Sequence, residues 1–210
     1  MALVRDGQVV ARPDGSVHQL FPVSVHPDEG VALREWVQRE DARRTIEIGF
    51  GYRISTLFIC QALLSAGDAA VRHAVIDPHQ HSRFADIGLQ LLDDAGLRTM
   101  VVHHSERSEL ALPTLLSAPT RFDLAFIDGN HRFDGVFVDL FYLGRLLRPG
   151  AIVFLDDYQL PSVSGAASFF IKNLGWTVED TSTSTLDRHW IVLRTSSTPD
   201  HRPFDHFVEF

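Results

Sequence analysis

Cysteine and lysine are almost missing from this chain: Cys60 is its one thiol and Lys172 its one lysine. A lone cysteine excludes an intrachain disulfide. Its neighbours Leu57, Phe58 and Ile59 mark it as a small buried hydrophobe rather than a nucleophile. The 19 basic residues fall short of the 27 acidic ones and leave a formal charge of -8. That deficit opposes a nucleic-acid backbone and provides no polybasic patch for an anionic membrane. Long apolar runs are missing too, since none approaches the ~20 residues of a membrane span. The start, Met1-Ala-Leu-Val-Arg-Asp6, lacks a signal-peptide core. These absences predict a soluble, cytoplasmic protein with no nucleic-acid or membrane partner.

What is present suits one core. With 210 residues and 45% hydrophobic content, the chain is predicted to form a single domain. Residues 1–40 read as a preamble, with a hairpin over Val9–Leu20 around Pro13-Asp14-Gly15 and a helix over Pro27–Glu40. A main fold occupies 41–195, and 196–210 form a tail whose Phe204, Phe207 and Phe210 are expected to dock onto the body or a partner. In the main fold, strands at Thr45–Phe50, Val71–Asp77, Thr99–His103, Phe122–Asp128 and Ala151–Asp156 alternate with helices at Ile54–Ser65, Ser82–Ala95, Val136–Leu147 and Ser164–Leu174. Gly67 and Gly96 stand where helix C-caps belong. Such alternation predicts an α/β fold with a mostly parallel sheet and helices on both faces. The last apolar runs, Trp176–Val178 and His189–Leu193, are separated only by the polar Thr181–Thr185 stretch. An antiparallel strand closing the sheet edge is the expectation.

Glu47-Ile-Gly-Phe-Gly-Tyr52 closes a short strand and leads into a helix. Glycines there let the backbone approach a ligand closely. Asp77 ends the next apolar run, where an acid can accept ribose hydroxyls. Together they predict a loop for a nucleoside-bearing cofactor. Downstream, Asp128 and the pair Asp156-Asp157 end two further strands, forming a carboxylate cluster that faces it.

These segments resemble a known family. Glu47-Ile-Gly-Phe-Gly-Tyr-Arg-Ile-Ser-Thr56, Val75-Ile-Asp-Pro78, Phe122-Asp-Leu-Ala-Phe-Ile-Asp-Gly-Asn-His131 and Leu147-Arg-Pro-Gly-Ala-Ile-Val-Phe-Leu-Asp-Asp157 are similar to class I S-adenosylmethionine-dependent methyltransferases. Within that class they look most like the bacterial small-molecule O-methyltransferases that include the macrocin type. The resemblance spans roughly residues 24 to 195. It implies a Rossmann-like, seven-stranded sheet with an antiparallel last strand. It implies that Glu47, Gly49 and Gly51 shape the methionine side of the cofactor pocket, that Ser55 lies near the cofactor carboxylate, and that Asp77 takes the ribose. Ser105 and Glu106 fall where the adenine ring is met. Arg53 departs from the pattern, standing where the family has another glycine. Its side chain pairs with the methionine carboxylate or points to solvent.

Methyl transfer from a sulfonium is an in-line displacement, so an acceptor oxygen must be aligned and deprotonated. Asp128, Asp156 and Asp157 supply hard oxygen ligands suited to magnesium (Mg2+), which would lower the pKa of a bound hydroxyl. The alternative is a polar strand end that caps the next segment or touches the cofactor without metal. His131 or Asp128 can act as general base, and His131 can equally serve to hold its loop. His79 is second in rank for the base, while His81, His103 and His104 read as solvated or structural. Tyr158, Phe169 and Phe170 can line an acceptor pocket, with core packing the competing role for the two phenylalanines. The acceptor is expected to be a small molecule, a sugar or phenol-like unit of a specialised metabolite. A homodimer can complete an otherwise open pocket.

Three rival readings share these features. A nicotinamide-dependent (NAD) oxidoreductase also joins a glycine loop to an acid, but its third glycine and a separate substrate domain are missing. A phospho-receiver also gathers acids at strand ends, but Lys172 falls in a predicted helix. A non-catalytic S-adenosylmethionine-binding protein stays compatible because of Arg53.

Overall fold

The computed structural model describes residues 6–182 and 188–210, so residues 1–5 and positions 183–185 of the polar Thr181–Thr185 stretch lie outside the described residues. The chain divides into two compact units, Met1–Arg107 and Ser108–Phe210.

The first unit opens with the predicted hairpin, β1 (Gln8–Val10) against β2 (Val17–Gln19), with Val9 opposite His18. Asp14 stabilises its turn by accepting hydrogen bonds from the Ser16 amide at 2.9 Å and hydroxyl at 2.7 Å. Helix α1 (Pro27–Arg39) starts on a proline, carries Asp28 and Glu29 in its first turn and ends on Arg39, in accord with the helix dipole. It buries Leu33, Trp36 and Val37. It packs on α2 (Ile54–Ser65), where Gly30 faces the Phe58 ring so closely that a β-carbon would lie 2.3 Å away. Strands β3 (Arg44–Ile48), β4 (Arg72–Ile76) and β5 (Val101–His104) run parallel. Gly67 and Gly96 follow their helices with φ of +69° and +66°, the left-handed exits expected of them.

The one helix expected over Ser82–Ala95 is two, α3 (Gln80–Arg83) and α4 (Ile87–Asp94). Ala85 and Asp86 between them adopt φ of 49° and 56°. This left-handed step interrupts the helix where Phe84 meets the Tyr52 ring edge-on, at 5.2 Å between centroids.

The second unit holds α5 (Ser108–Leu116), β6 (Phe122–Ile127), α6 (Phe133–Leu146), β7 (Leu147–Leu155), α7 (Pro161–Leu174), β8 (Thr177–Thr181) and β9 (Ile191–Arg194). Strand β7 pairs parallel with β6 and antiparallel with β9, which in turn pairs antiparallel with β8. The seven-stranded sheet has the order β5-β4-β3-β6-β7-β9-β8. The antiparallel strand therefore exists, but it lies one place in from the edge. Ile191, Val192 and Leu193 of β9 are buried, whereas every residue of β8 is exposed. The apolar strand takes the inner place and the polar Thr-Val-Glu-Asp-Thr strand the edge.

Asp139 on α6 is wholly buried, and its two carboxylate oxygens make no hydrogen bond of normal geometry among the described residues. Burial pushes its pKa up to about 7, with the nearby Ser108 hydroxyl offsetting part of the rise. The tail docks through Asn173, whose amide donates to the Val208 carbonyl at 2.8 Å and accepts from the Val208 amide at 2.6 Å. Of the three tail phenylalanines, Phe210 seats against Phe169 at 5.2 Å and Phe133 at 6.4 Å, Phe207 meets Phe210, and Phe204 stands in solvent. Among the described residues, no helix is long and apolar enough to cross a membrane.

Candidate active site

Strand β3 ends at Ile48, and three left-handed residues follow within five positions: Gly49 at φ 92°, Gly51 at 45° and Arg53 at 70°. They fold the chain sharply from strand into α2. Asp77, at the end of β4 and 4% exposed, fixes that turn. Its Oδ2 accepts the amides of Phe50 at 3.1 Å and Gly51 at 3.0 Å and the Gln80 side chain at 3.2 Å, while Oδ1 accepts the His79 amide at 2.6 Å. The Phe50 ring stacks on His103 at 5.7 Å, and His103 Nε2 lies 2.9 Å from the Asp77 carbonyl. On the far side of Phe50 is Gly88, where a β-carbon would lie 2.7 Å from the ring and 2.5 Å from Gln80 Oε1.

Glu47 is fully buried and accepts from Ser55 Oγ, from Thr56 Oγ1 at 2.6 Å and from His73 Nε2 at 2.9 Å. His73 in turn meets Thr45 Oγ1 at 2.8 Å. The acid thus ties β3 to the first turn of α2 and to β4, and holds both ends of the loop. His73, which the sequence reading passed over, completes that network. Ser105 stands exposed just after β5.

Arg53 does not point to solvent. It is 1% exposed, and its guanidinium nitrogens make no hydrogen bond among the described residues. The guanidinium lies 5.8 Å from the Phe50 ring centre, and burial pushes its pKa down to about 9. Cys60 is buried as expected, its pKa pushed up to about 12 by burial, which makes it an unreactive thiol.

In the second unit, Asp128 follows β6, and Asp156-Asp157 follow the parallel β7, with the Asp156 amide donating to the Ile127 carbonyl at 3.0 Å. Asp157 has φ of 53°. His131 Nε2 lies between two acids, 3.3 Å from Asp128 Oδ1 and 3.1 Å from Asp157 Oδ2. Arg188 joins them: its Nη2 pairs with Asp156 Oδ2 and lies 3.9 Å from Asp128 Oδ1, and its Nε lies 3.5 Å from Asp157 Oδ1. Burial raises the pKa of Asp128, and burial followed by the Asp128 charge takes Asp156 to about 7. The hydrogen bond to Asp128 raises that of His131.

Each of Asp128, His131 and Asp157 offers a ligand atom within 4.8 Å of the others, a separation one divalent cation can span. Two carboxylates and an imidazole fit such an ion. Asp156, the third ligand expected from sequence, directs its oxygens to Arg188 and to the Asp157 amide at 2.6 Å.

A family model described as a methyltransferase domain matches residues 46–158, more than half the chain. The chain belongs to this family. Solved methyltransferases share its fold. The O-methyltransferase TomG from Streptomyces achromogenes, involved in tomaymycin synthesis and solved with SAM, is 23% identical, with 84% of this chain and 83% of that one covered and a TM-score of 0.70. An O-methyltransferase from Bacillus cereus, solved with SAH, is 19% identical over 83% and 84%, also at 0.70. The SAH-bound methyltransferase PaMTH1 from Podospora anserina is 15% identical over 84% and 82%, at 0.67. No curated protein matches significantly. The sheet with its antiparallel last strand is thus the Rossmann-like class I methyltransferase sheet.

In this methyltransferase the residue that sequence reasoning missed at the cluster is Arg188. Its signal was the antiparallel closing strand: the chain entering β9 must run past the end of β7, where Asp156 and Asp157 stand. His79 is exposed at the start of α3, away from any such grouping, and Phe170 is buried in the core as its helical spacing suggests.

Proposed function

We propose that this methyltransferase transfers the methyl group of S-adenosylmethionine to a hydroxyl oxygen of a small-molecule acceptor, a sugar or phenol-like unit, with assistance from a divalent cation such as magnesium. The observation that carries the acceptor chemistry is the convergence of Asp128, His131 and Asp157 at the ends of two paired parallel strands. The cofactor supplies an electrophilic methyl. A cation held by Asp128, Asp156 and Asp157 would supply Lewis acidity toward the hydroxyl and leave His131 as the base.

The chain's own groups do the rest. Gly49 and Gly51 shape the methionine end of the cofactor site, and Glu47 with Ser55 keeps that loop in place. Asp77 is the residue for the ribose, and Ser105 flanks the adenine. Arg53, a buried cation without a hydrogen-bond partner among the described residues, is chemically matched to the cofactor carboxylate. His131 in its neutral form takes the hydroxyl proton while Asp128 holds its ring. The acceptor is drawn from specialised metabolism, the enzyme works in the cytoplasm, and a homodimer closes the acceptor side.

Calorimetric titration with S-adenosylmethionine, with NAD as control, tests the reading. Micromolar binding of the first and none of the second is expected, with turnover of hydroxyl acceptors suppressed by chelator. No binding of S-adenosylmethionine would sink it. Binding without any turnover would favour a non-catalytic cofactor-binding protein, the reading that the unusual Arg53 supports.

A further inference from the structure

We propose that Arg188 is the built-in counter-cation of the carboxylate cluster, and that a divalent cation binds there only by displacing its guanidinium. The inference rests on reading Asp128 and Asp157 as cation ligands.

Three carboxylates meet in a small space with side-chain exposures of 17% for Asp128, 0% for Asp156 and 12% for Asp157. Carboxylates this sheltered repel one another strongly and need a cation close by. Arg188 is the arginine that reaches all three. The same oxygens are the ones a metal would use. Asp128 Oδ1, one candidate ligand atom, faces both His131 and Arg188. Asp157 divides its oxygens, Oδ2 toward His131, and Oδ1 toward Arg188 and the Gln159 amide, which donates at 2.8 Å. Asp156 Oδ2 is taken by the guanidinium. Arginine and a divalent ion therefore compete for one set of charges.

The arginine is also placed to leave. Its side chain is 28% exposed, in contrast to the sealed Asp156. The backbone beside it is pinned, since the His189 amide donates to Gln159 Oε1 at 2.7 Å and the Tyr158 amide to the His189 carbonyl at 2.7 Å. Only the side chain needs to swing toward water, and the cluster exchanges one positive charge for two.

The test is Mn2+ titration of the full chain followed by electron paramagnetic resonance, without cofactor or acceptor, on wild type, Arg188→Gln, Arg188→Ala and Arg188→Lys. Circular dichroism selects the variants that fold, and either neutral variant suffices. Gln or Ala is expected to tighten Mn2+ binding by about tenfold or more, equivalent to about 1.4 kcal/mol, and Lys, which keeps the charge, to stay near wild type. Equal Mn2+ affinity in wild type and a folded neutral variant, or weaker binding in the variant, overturns the proposal. The outcome is independent of S-adenosylmethionine binding, which judges the methyltransferase reaction separately.

Discussion

Leu155 pairs with Ile191 across the antiparallel ladder of β7 and β9, and this register decides what the carboxylate cluster contains. Beyond Leu155 come Asp156 and Asp157, while three residues before Ile191 stands Arg188. Because the strands run in opposite directions, the end of one lies beside the approach to the other. An arginine 32 positions away in sequence thereby becomes the nearest cation to Asp156.

His131 should give the reaction its pH dependence. Its pKa is raised above 6.5, chiefly by the hydrogen bond to Asp128, so the imidazolium persists to higher pH than usual. The neutral base forms only above the raised value, and kcat should climb with pH through it. The sign for stability is opposite: the ion pairs strengthen the fold below 6.5 and lose their contribution as pH rises through the folded value. His131→Ala should lower kcat by about 10²-fold or more and flatten the profile. An unchanged pH–rate profile in that variant would remove His131 as the base.

Asp77→Asn exchanges an acceptor of loop amides for a group that also donates. Loss of charge-assisted bonds to Phe50 and Gly51 should cost about 1–3 kcal/mol and weaken S-adenosylmethionine binding. Asp157→Ala should leave that affinity nearly intact and abolish turnover. Calorimetry on the two variants separates the cases, and an equal loss of affinity in both would contradict the division of labour.

Arg53→Met retains much of the side-chain volume and removes a buried charge. Replacing buried charges by apolar groups of similar size is often stabilising by about 1–4 kcal/mol, so the melting temperature should rise by several degrees. Cofactor affinity should fall if the guanidinium takes the methionine carboxylate. A lower melting temperature in scanning calorimetry would show that the charge is compensated in solution.

Asp139 makes stability fall toward neutral pH. Its folded pKa of about 7 lies above the ordinary carboxyl value of 3.8, so between them the folded state holds a proton that the unfolded state has released. The stability this provides is present below 3.8 and is lost as pH rises through about 7. Asp139→Asn should therefore melt higher than wild type at pH 8, by an amount on the order of 2 kcal/mol. The gap should narrow as pH falls below about 7 and close only below 3.8. A constant difference across that range would rule out the buried acid as its source.

The parallel sheet was readable because β3, β4, β6 and β7 are apolar runs that each end in glycine or aspartate, and α2 matches its expected bounds, Ile54–Ser65. Helix α5 was missed because Pro113 lies inside it and only Ala111 and Leu112 are buried, which leaves a weak helical face. The break at Ala85-Asp86 has no glycine to announce it, since two ordinary residues adopt the left-handed turn. At the candidate site, Asp77, Asp128, Asp156 and Asp157 were visible as strand-end acids. Arg53's burial and Arg188's position were not, because both depend on where a long side chain travels after the backbone is set.

Gly88 gives the loop between β3 and α2 a remote lever. Its missing β-carbon leaves the room occupied by the Phe50 ring and the Gln80 side-chain oxygen Oε1, two groups joined to the Asp77 turn. A single added methyl on α4 would shift the ring and, with it, the amide that Asp77 grips. The loop can therefore be altered from the buried face of a neighbouring helix, with position 88 setting how far the loop is allowed to relax.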